Sequence, residues 1–333
     1  GSLAGGGPMS GREPALPGKP VTDPACWTGD ELADRDDWIF ELTDGEIAGL
    51  ADMAGAVRKR IGDDPNGLIE MAAEDFDLGP LAPRLAEAKR VIEDGVGIVL
   101  FRALPLQRWD MLAAAIVFWA IGRQVGDAQS NNPEGEMIAH VTDMGKDLDH
   151  PNHRAYQTSA ELFFHVDQTD ILGLLCLTKA KSGGRSKIAS SIAIHNEMLA
   201  RRPDLARVLA QPFYWSRMGE EGPDEDPWFK SPVFNYVDGY LSVTAGYKSI
   251  EKGHRLPGVP PLSEIQKEAL DYFEELGDEL QFATELEPGD VAILNNQAVV
   301  HSRTGFEDWP EPERHRRLWR LWLRNGDMRP RSP

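Results

Sequence analysis

Cysteine is nearly absent. Only Cys26 and Cys176 occur in a chain of 333 residues, and Cys176 lies in a strongly apolar run, so neither a disulfide framework nor a thiolate zinc site is supported. A reducing, cytoplasmic setting is the expectation. Basic residues are also short: 35 Lys and Arg against 54 Asp and Glu leave a formal net charge of -19. Such a surface repels phosphate backbones and anionic lipid, which excludes nucleic acid and membrane as natural partners. Long hydrophobic runs are missing too. The most apolar helical candidate, "MLAAAIVFWAIG" at 111–122, is closed by Asp110 and Arg123 and is far shorter than the roughly 20 residues a bilayer span needs; it reads as a buried helix. The leading "GSLAGGGPMSGREPALPGKP" has no cationic segment running into an apolar one, so it is not a secretory signal. Its first residues read as a tag remnant, and 1–20 as a flexible arm outside the fold.

Hydrophobic residues make up 41% of the chain, enough for a substantial core. A single domain over 21–333 is the expectation, helical to about residue 94 and rich in strands from about 95. Leu and Ala recur at three- and four-residue steps in "GEIAGLADMAGAVRKRIG" and "LAPRLAEAKRVIED", the period of an amphipathic helix. "GVGIVLFRALP" (95–105) then reads as a buried strand, followed by a helix over 109–121. Beyond residue 136 most apolar runs have strand length: "MIAHVTDMG", "FFHVDQTDILGLLCL", "KIASSIAI", "VFNYVDGYLSV", "QFATEL", "VAILNNQAVVHS" and "RRLWRLWLR". Helices at "NEMLARRPDLARVLA" and "PLSEIQKEALDYFEELGDEL" interrupt them. The pattern predicts a mainly β, α+β fold with a jelly-roll or barrel core buttressed by helices. The acidic, Pro-rich "GPDEDPWFKSP" (222–232) reads as an excursion, either a surface loop or a lid over a site.

Inside the apolar "AELFFHVDQTDILGLLCL" (160–177) stand His165 and Asp167. Two residues apart on a strand, their side chains share a face. His-x-Asp alone is a weak signal. It gains weight from "EPGDVAILNNQAVVHSRTGF", where Pro288 and Gly289 turn the chain into a strand and His301 ends a second apolar run. Two His and one Asp make a facial triad, which holds Fe(II) and leaves coordination positions open for substrate and O2; a structural zinc site would be closed by four ligands. In "RHRRLWRLWLR" (314–324), counting by twos puts Arg316, Leu318, Arg320, Trp322 and Arg324 on one face. Arg317, Trp319, Leu321 and Leu323 fall on the other, more apolar one. A guanidinium held among such groups needs an anionic partner, and a carboxylate gripped by two hydrogen bonds is the natural choice.

The order His165-x-Asp167, then His301, then Arg316-x-x-x-Arg320 resembles the Fe(II)/2-oxoglutarate dioxygenases of the taurine dioxygenase and clavaminate synthase-like group, from about residue 95 onward. The resemblance implies a double-stranded β-helix core. It implies that Arg316 anchors the C5 carboxylate of 2-oxoglutarate, with Arg320 its companion on the cosubstrate or a substrate acid group, and Arg317 the competitor if the register slips. It also implies a hydroxyl on that carboxylate after a "GG" turn, which "SGGRSKIASS" supplies as Ser186. Halogenating relatives lose the carboxylate ligand; retention of Asp167 argues against halogenation. Where relatives carry an Arg, "VTAGYKSIEKG" leaves Lys248 and Tyr247. The expected activity is hydroxylation of a small polar, carboxylated or amino-acid-like molecule, with 2-oxoglutarate decarboxylated to succinate and CO2. The alternatives are a cupin-like metal isomerase or hydrolase on the same triad and a catalytically inert binding module.

Other polar residues read more simply. His150, His153, Asp147 and Asp149 suggest a solvated loop, and His140 and Asp143 satisfied core or rim groups. His195 falls where a strand enters a helix, His254 and His315 fall on the surface, and Asp170 reads as an acceptor near the metal rather than a ligand. Tyr214, Trp215 and Arg217, with Trp228, read as aromatic packing before substrate contacts.

Overall fold

The computed structural model describes residues 11–132, 135–141 and 159–330. Ahead of residue 98 the chain is mainly helical: α1 (Gly29–Ala33), α2 (Asp44–Ile61) and α3 (Ala82–Asp94), with one short strand, β1 (Ile39–Glu41). There follow β2 (Ile98–Arg102), α4 (Met111–Arg123), β3 (Asp127–Gln129), β4 (Ile138–Val141), β5 (Ile171–Thr178), β6 (Ser182–Gly183) and β7 (Ser186–Ser190). The middle holds α5 (Ser191–Arg201), α6 (Pro203–Leu209) and two hairpins, β8 (Phe213–Ser216) with β9 (Trp228–Ser231) and β10 (Phe234–Val237) with β11 (Tyr240–Val243). The chain ends with α7 (Tyr247–His254), α8 (Glu264–Leu280), β12 (Phe282–Thr284), β13 (Val291–Asn295), β14 (Val299–Arg303), β15 (Phe306–Glu307) and β16 (Arg317–Arg324).

The larger sheet runs β1-β2-β13-β5-β16-β3, with β4 also on β16; the smaller runs β12-β7-β14. Their inner faces meet in one apolar cluster that joins Leu172, Leu294, Leu318 and Trp322 to Ile188 and Val299. This is the expected α+β jelly-roll. The outer face of the larger sheet is covered by α4, whose residues 116–122 are all buried, which is why that helix is apolar on every side. Contact is close enough that a Cβ on Gly122 would lie 2.4 Å from Leu321 Cδ2. β16 alternates as its sequence predicts: Trp319, Leu321 and Leu323 pack with α4, while Leu318 and Trp322 face inward.

Several expectations are revised. The apolar run at 160–177 is not one strand. Regular pairing starts only at Ile171, and His165 sits in isolated bridges to Gly246 and His301. The polar residues between bond sideways: Thr169 Oγ1 donates to Leu323 O, and Asn296 Nδ2 donates to Thr169 O. "KIASSIAI" likewise ends as a strand at Ser190, whose hydroxyl accepts the Ala193 N–H and caps α5, so His195 lies within a helix. Pro203, unable to continue α5 with an N–H, begins α6 as a separate helix. Residues 11–20 are not a free arm. Ala15 N–H donates to Gly239 O at 2.7 Å and the Arg12 guanidinium lies 3.4 Å from the Tyr240 ring centroid. Arg329 grips Asp23 with two bonds of 2.6 and 2.9 Å, tying both ends of the described chain together. His254 is buried, its Nε2 accepting the Tyr214 N–H. Asp143, Asp147, Asp149, His150 and His153 lie outside the described residues.

Glu274 on α8 accepts the Phe164 N–H at 3.0 Å, one residue before His165. Burial raises its carboxyl to about 8, against that hydrogen bond and with Asp278 adding to the rise. The native state therefore holds a proton that the unfolded chain releases near 4.5, so this group's stabilisation is full below that pH and is lost as pH rises through about 8. Glu274→Gln, which keeps an acceptor, is expected to flatten the pH dependence of Tm across that window in thermal melts. Leu321→Ala, at a site with no exposure, is expected to cost about 2–5 kcal/mol in denaturant unfolding.

Candidate metal centre and cosubstrate pocket

Between the two sheets lies a cavity of about 830 Å3. Its walls come from β5, β7, β13, β14 and β16, from the segment around 162–168, from the β8–β9 hairpin and from the start of α7. His165 and His301 meet there through two reciprocal backbone bonds, 2.9 Å from the His165 N–H and 3.0 Å from the His301 N–H. That pairing sets the imidazoles side by side with centroids 4.2 Å apart. Asp167 follows on the same segment, its Oδ1 3.7 Å from His165 Nε2 and 3.9 Å from His301 Nε2. One donor atom from each residue lies within 4.8 Å of the other two.

Each donor is held in its ligating form. His165 Nδ1 lies 2.9 Å from Phe163 O, which places the ring proton there and leaves the Nε2 lone pair for a metal. Burial, with His165 adding, pushes His301 down to about 3, so its imidazole is neutral at physiological pH. Burial pushes the Asp167 carboxyl up, but Arg320, the two imidazoles and the Trp322 indole outweigh it and bring it to about 2. The indole Nε1 donates to Asp167 Oδ2 at 2.9 Å, and Arg320 Nη1 stands 3.8 Å from the same oxygen. Two imidazoles and one carboxylate, open on the cavity side, fit Fe(II).

The cationic residues separate along β16. A strand rises about 3.3 Å per residue, so Arg316 and Arg320 leave the backbone at well-separated points of the cavity wall. Arg320 donates through Nε to Asn131 Oδ1 at 2.9 Å and lies beside Asp167. Arg316 is buried and points into the cavity, while Arg317 is exposed. Arg316 makes no ion pair among the described residues, and its buried Nη1 has no hydrogen-bond partner there. Burial pushes it down to about 10. The "SGG" turn clears space for it: Gly184 has φ 70° and a Cβ there would stand 3.0 Å from Arg316 Nε. Ser186 lines the cavity nearby, and its cross-strand partner Thr284 brings a second hydroxyl. A buried guanidinium in a cavity that two hydroxyls also line suits a ligand carboxylate.

The sequence profile of the family described as Taurine catabolism dioxygenase TauD, TfdA family matches residues 63–322. The chain belongs to this family. FR-33289 synthase of Streptomyces rubellomurinus is 30% identical over 322 residues, covering 94% of each chain. A taurine hydroxylase-like protein of Stachybotrys chartarum is 28% identical over 336 residues, 96% of this chain and 83% of its own. Among solved structures, an asparagine oxygenase in complex with Fe(II), 3-hydroxyasparagine and succinate superposes with a TM-score of 0.66 at 18% identity over 86% of this chain and 93% of that one. The oxygenase OrfP with Fe, succinate and hydroxyarginine gives 0.64 at 14% identity over 88% and 99%; at such identity these two speak for the fold. This TauD/TfdA-family protein is an Fe(II)- and 2-oxoglutarate-dependent oxygenase, which decides against the metal isomerase or hydrolase and the inert module.

Tertiary structure adds residues that motif reading passed over. Period two places Trp322 on the face of Arg316 and Arg320, but nothing local marks its bond to Asp167. Asn131 and Thr284 carried no signal. Asp170 accepts from Gln297 Nε2 and from the Asn325 N–H, bracing the segment behind Asp167. Trp215 and Arg217 line the cavity together with Tyr247 and Lys248, whereas Tyr214 packs on Trp228. His140 packs edge-on against Trp319, and His195 sits between Asn196 and Tyr236. Trp322→Phe keeps the packing and removes the bond to Asp167. Anaerobic Fe(II) titration is expected to show metal affinity weakened about 10–100-fold, with the thermal melt little changed.

Proposed function

We propose that His165, Asp167 and His301 hold Fe(II), that Arg316 with Ser186 holds the C5 carboxylate of 2-oxoglutarate, and that the protein hydroxylates a small polar, acidic or amino-acid-like molecule. The observation that carries this assignment is the presence, in one cavity, of an open triad and a buried guanidinium lacking a carboxylate partner among the described residues. When bound, iron and 2-oxoglutarate supply O2 activation with release of succinate and CO2 and removal of hydrogen from an unactivated C–H.

The chain's own residues bind, orient and shield. Arg316 neutralises the far end of the cosubstrate and sets its direction. Asp167, kept ionised by Arg320 and Trp322, supplies the one anionic ligand. Arg320 places positive charge beside the triad, where an acid group of cosubstrate or substrate would meet it. Leu172, Leu174, Leu294 and Leu318 on the cavity wall exclude water from the far end. Trp215 and Phe229, stacked at 5.9 Å, form an apolar flank for the substrate. The solved relatives hold hydroxylated asparagine and hydroxylated arginine, and a relative from Amycolatopsis is a uridine-5'-phosphate dioxygenase, 27% identical over 172 residues. All are small polar molecules. Among the described residues no helix is long and apolar enough to cross a membrane, and two free cysteines suit a cytoplasmic enzyme.

Arg316→Gln is expected to weaken 2-oxoglutarate binding by about 100-fold or more, the order of breaking a buried charge pair worth roughly 3–5 kcal/mol. Arg317→Gln should leave it unchanged. Anaerobic titration of the Fe(II) protein, followed by its weak visible charge-transfer band, reads both; equal effects would defeat the assignment. Substrate-dependent succinate release across free amino acids and small acids tests the substrate class.

A further inference from the structure

The segment that carries His165 does not pair regularly with β14. Leu162 N–H donates to Arg303 O at 3.0 Å and His165 N–H to His301 O at 2.9 Å, so the segment takes three steps where β14 takes two. One residue is extra. The result is a bulge at Phe163 and Phe164, and bulges bend a strand and re-aim its side chains. This one turns Phe163 O onto His165 Nδ1, 2.9 Å away, the contact that fixes the ring proton and frees Nε2. Neither Phe163 O nor the Phe164 N–H has a main-chain partner among the described residues, so side chains hold the bulge in shape.

They come from α8 and the start of α7. Glu274 Oε2 accepts the Phe164 N–H at 3.0 Å. The Phe164 ring is buried against α8, where a Cβ on Gly277 would stand 2.7 Å from its Cδ2. Phe163 turns the other way, onto the cavity wall. There the Tyr247 ring stacks on it, with centroids 4.6 Å apart and planes at 11°, and the Tyr247 hydroxyl donates to Asp271 Oδ1 at 2.8 Å. Asp278 accepts from Lys187 Nζ at 3.1 Å, and the same ammonium reaches Glu161 at 3.2 Å. Asp271, Glu274 and Asp278, spaced by three and four residues, share one side of α8. One helix thus holds the bulge at both of its residues.

We propose that Glu274 and Tyr247 are positioning residues for the metal centre, fixing the bulge that aims Phe163 O at the His165 ring. The inference rests on the reading of His165, Asp167 and His301 as the iron site and goes beyond it in naming what orients the first of them. Glu274 supplies an acceptor. Burial raises its carboxyl to about 8, so at neutral pH it is mainly the uncharged acid, and glutamine reproduces its oxygen. Without that acceptor the Phe164 N–H is left unpaired, and the bulge relaxes to find it another partner. Without the Tyr247 ring, Phe163 loses its support on the cavity side. In either case the carbonyl leaves Nδ1, and the imidazole loses the contact that sets its tautomer and direction.

The test is anaerobic calorimetric titration with Fe(II) alone at neutral pH, beside thermal melts, of wild type, Glu274→Leu, Glu274→Gln, Tyr247→Leu and Leu205→Ala. Leu205 is a fully buried residue of α6 in the same apolar cluster as Phe164 and serves as the packing control. Glu274→Leu and Tyr247→Leu are each expected to weaken Fe(II) binding about tenfold, the lower end for loss of an outer hydrogen-bond partner. Glu274→Gln should stay within about threefold of wild type. Leu205→Ala should lower Tm and leave the metal affinity alone, whereas a purely structural role for Glu274 would make the two kinds of variant alike. Wild-type Fe(II) affinity in Glu274→Leu or in Tyr247→Leu, or a loss in Leu205→Ala as large as theirs, overturns the proposal. Where Glu274→Leu does not fold, Tyr247→Leu, at a half-buried site, decides by the same criterion. A wild type that takes up no Fe(II) would instead sink the iron-site assignment itself.

Discussion

The exchange of two backbone hydrogen bonds between His165 and His301 is the constraint on which the site depends. It joins residues 136 positions apart in the chain, and it does so with main-chain groups, so the imidazoles are left free to ligate. Asp167 needs only to follow two residues later to complete the set. Around this bridge the rest of the barrel encloses the three side chains on all but the cavity side. That burial makes His301 a neutral donor, and the Arg320 and Trp322 side chains keep Asp167 ionised.

Charge is divided between surface and interior. The exterior carries the acidic excess, while the cavity wall collects guanidinium and ammonium groups that the surface composition alone would not suggest. Strand geometry then sorts the arginines. Arg316, just ahead of β16, and Arg320 within it both reach the cavity wall four residues apart, and Arg320 stands beside Asp167. The outward face of the same strand, Trp319, Leu321 and Leu323, is what α4 holds in place. A packing interaction on one side thus aims the charged groups on the other.

Legibility varied with the range of the interaction concerned. The faces of β16 could be read because alternation is a property of the strand itself, and α4 could be read as buried because no polar stripe interrupts it. The split of 160–177 was hidden: the run is apolar enough for a strand, yet Thr169 and Asn296 draw its middle away through bonds to partners far along the chain. His254 looked like a surface residue since its neighbours in sequence are polar, but the Tyr214 N–H and Pro260 O that enclose it come from other elements.

By itself the sequence determined the ligand types, their order and the alternating faces that carry Arg316, because these follow from side-chain chemistry and from the two-residue period of a strand. Only the tertiary structure decided which second contacts hold those groups. Trp322 and Asn131 on the triad and its arginine, Thr284 across from Ser186, and the lysines of α7 on the cavity wall are all brought there by packing of distant segments, and no local pattern encodes where a distant segment will come to rest.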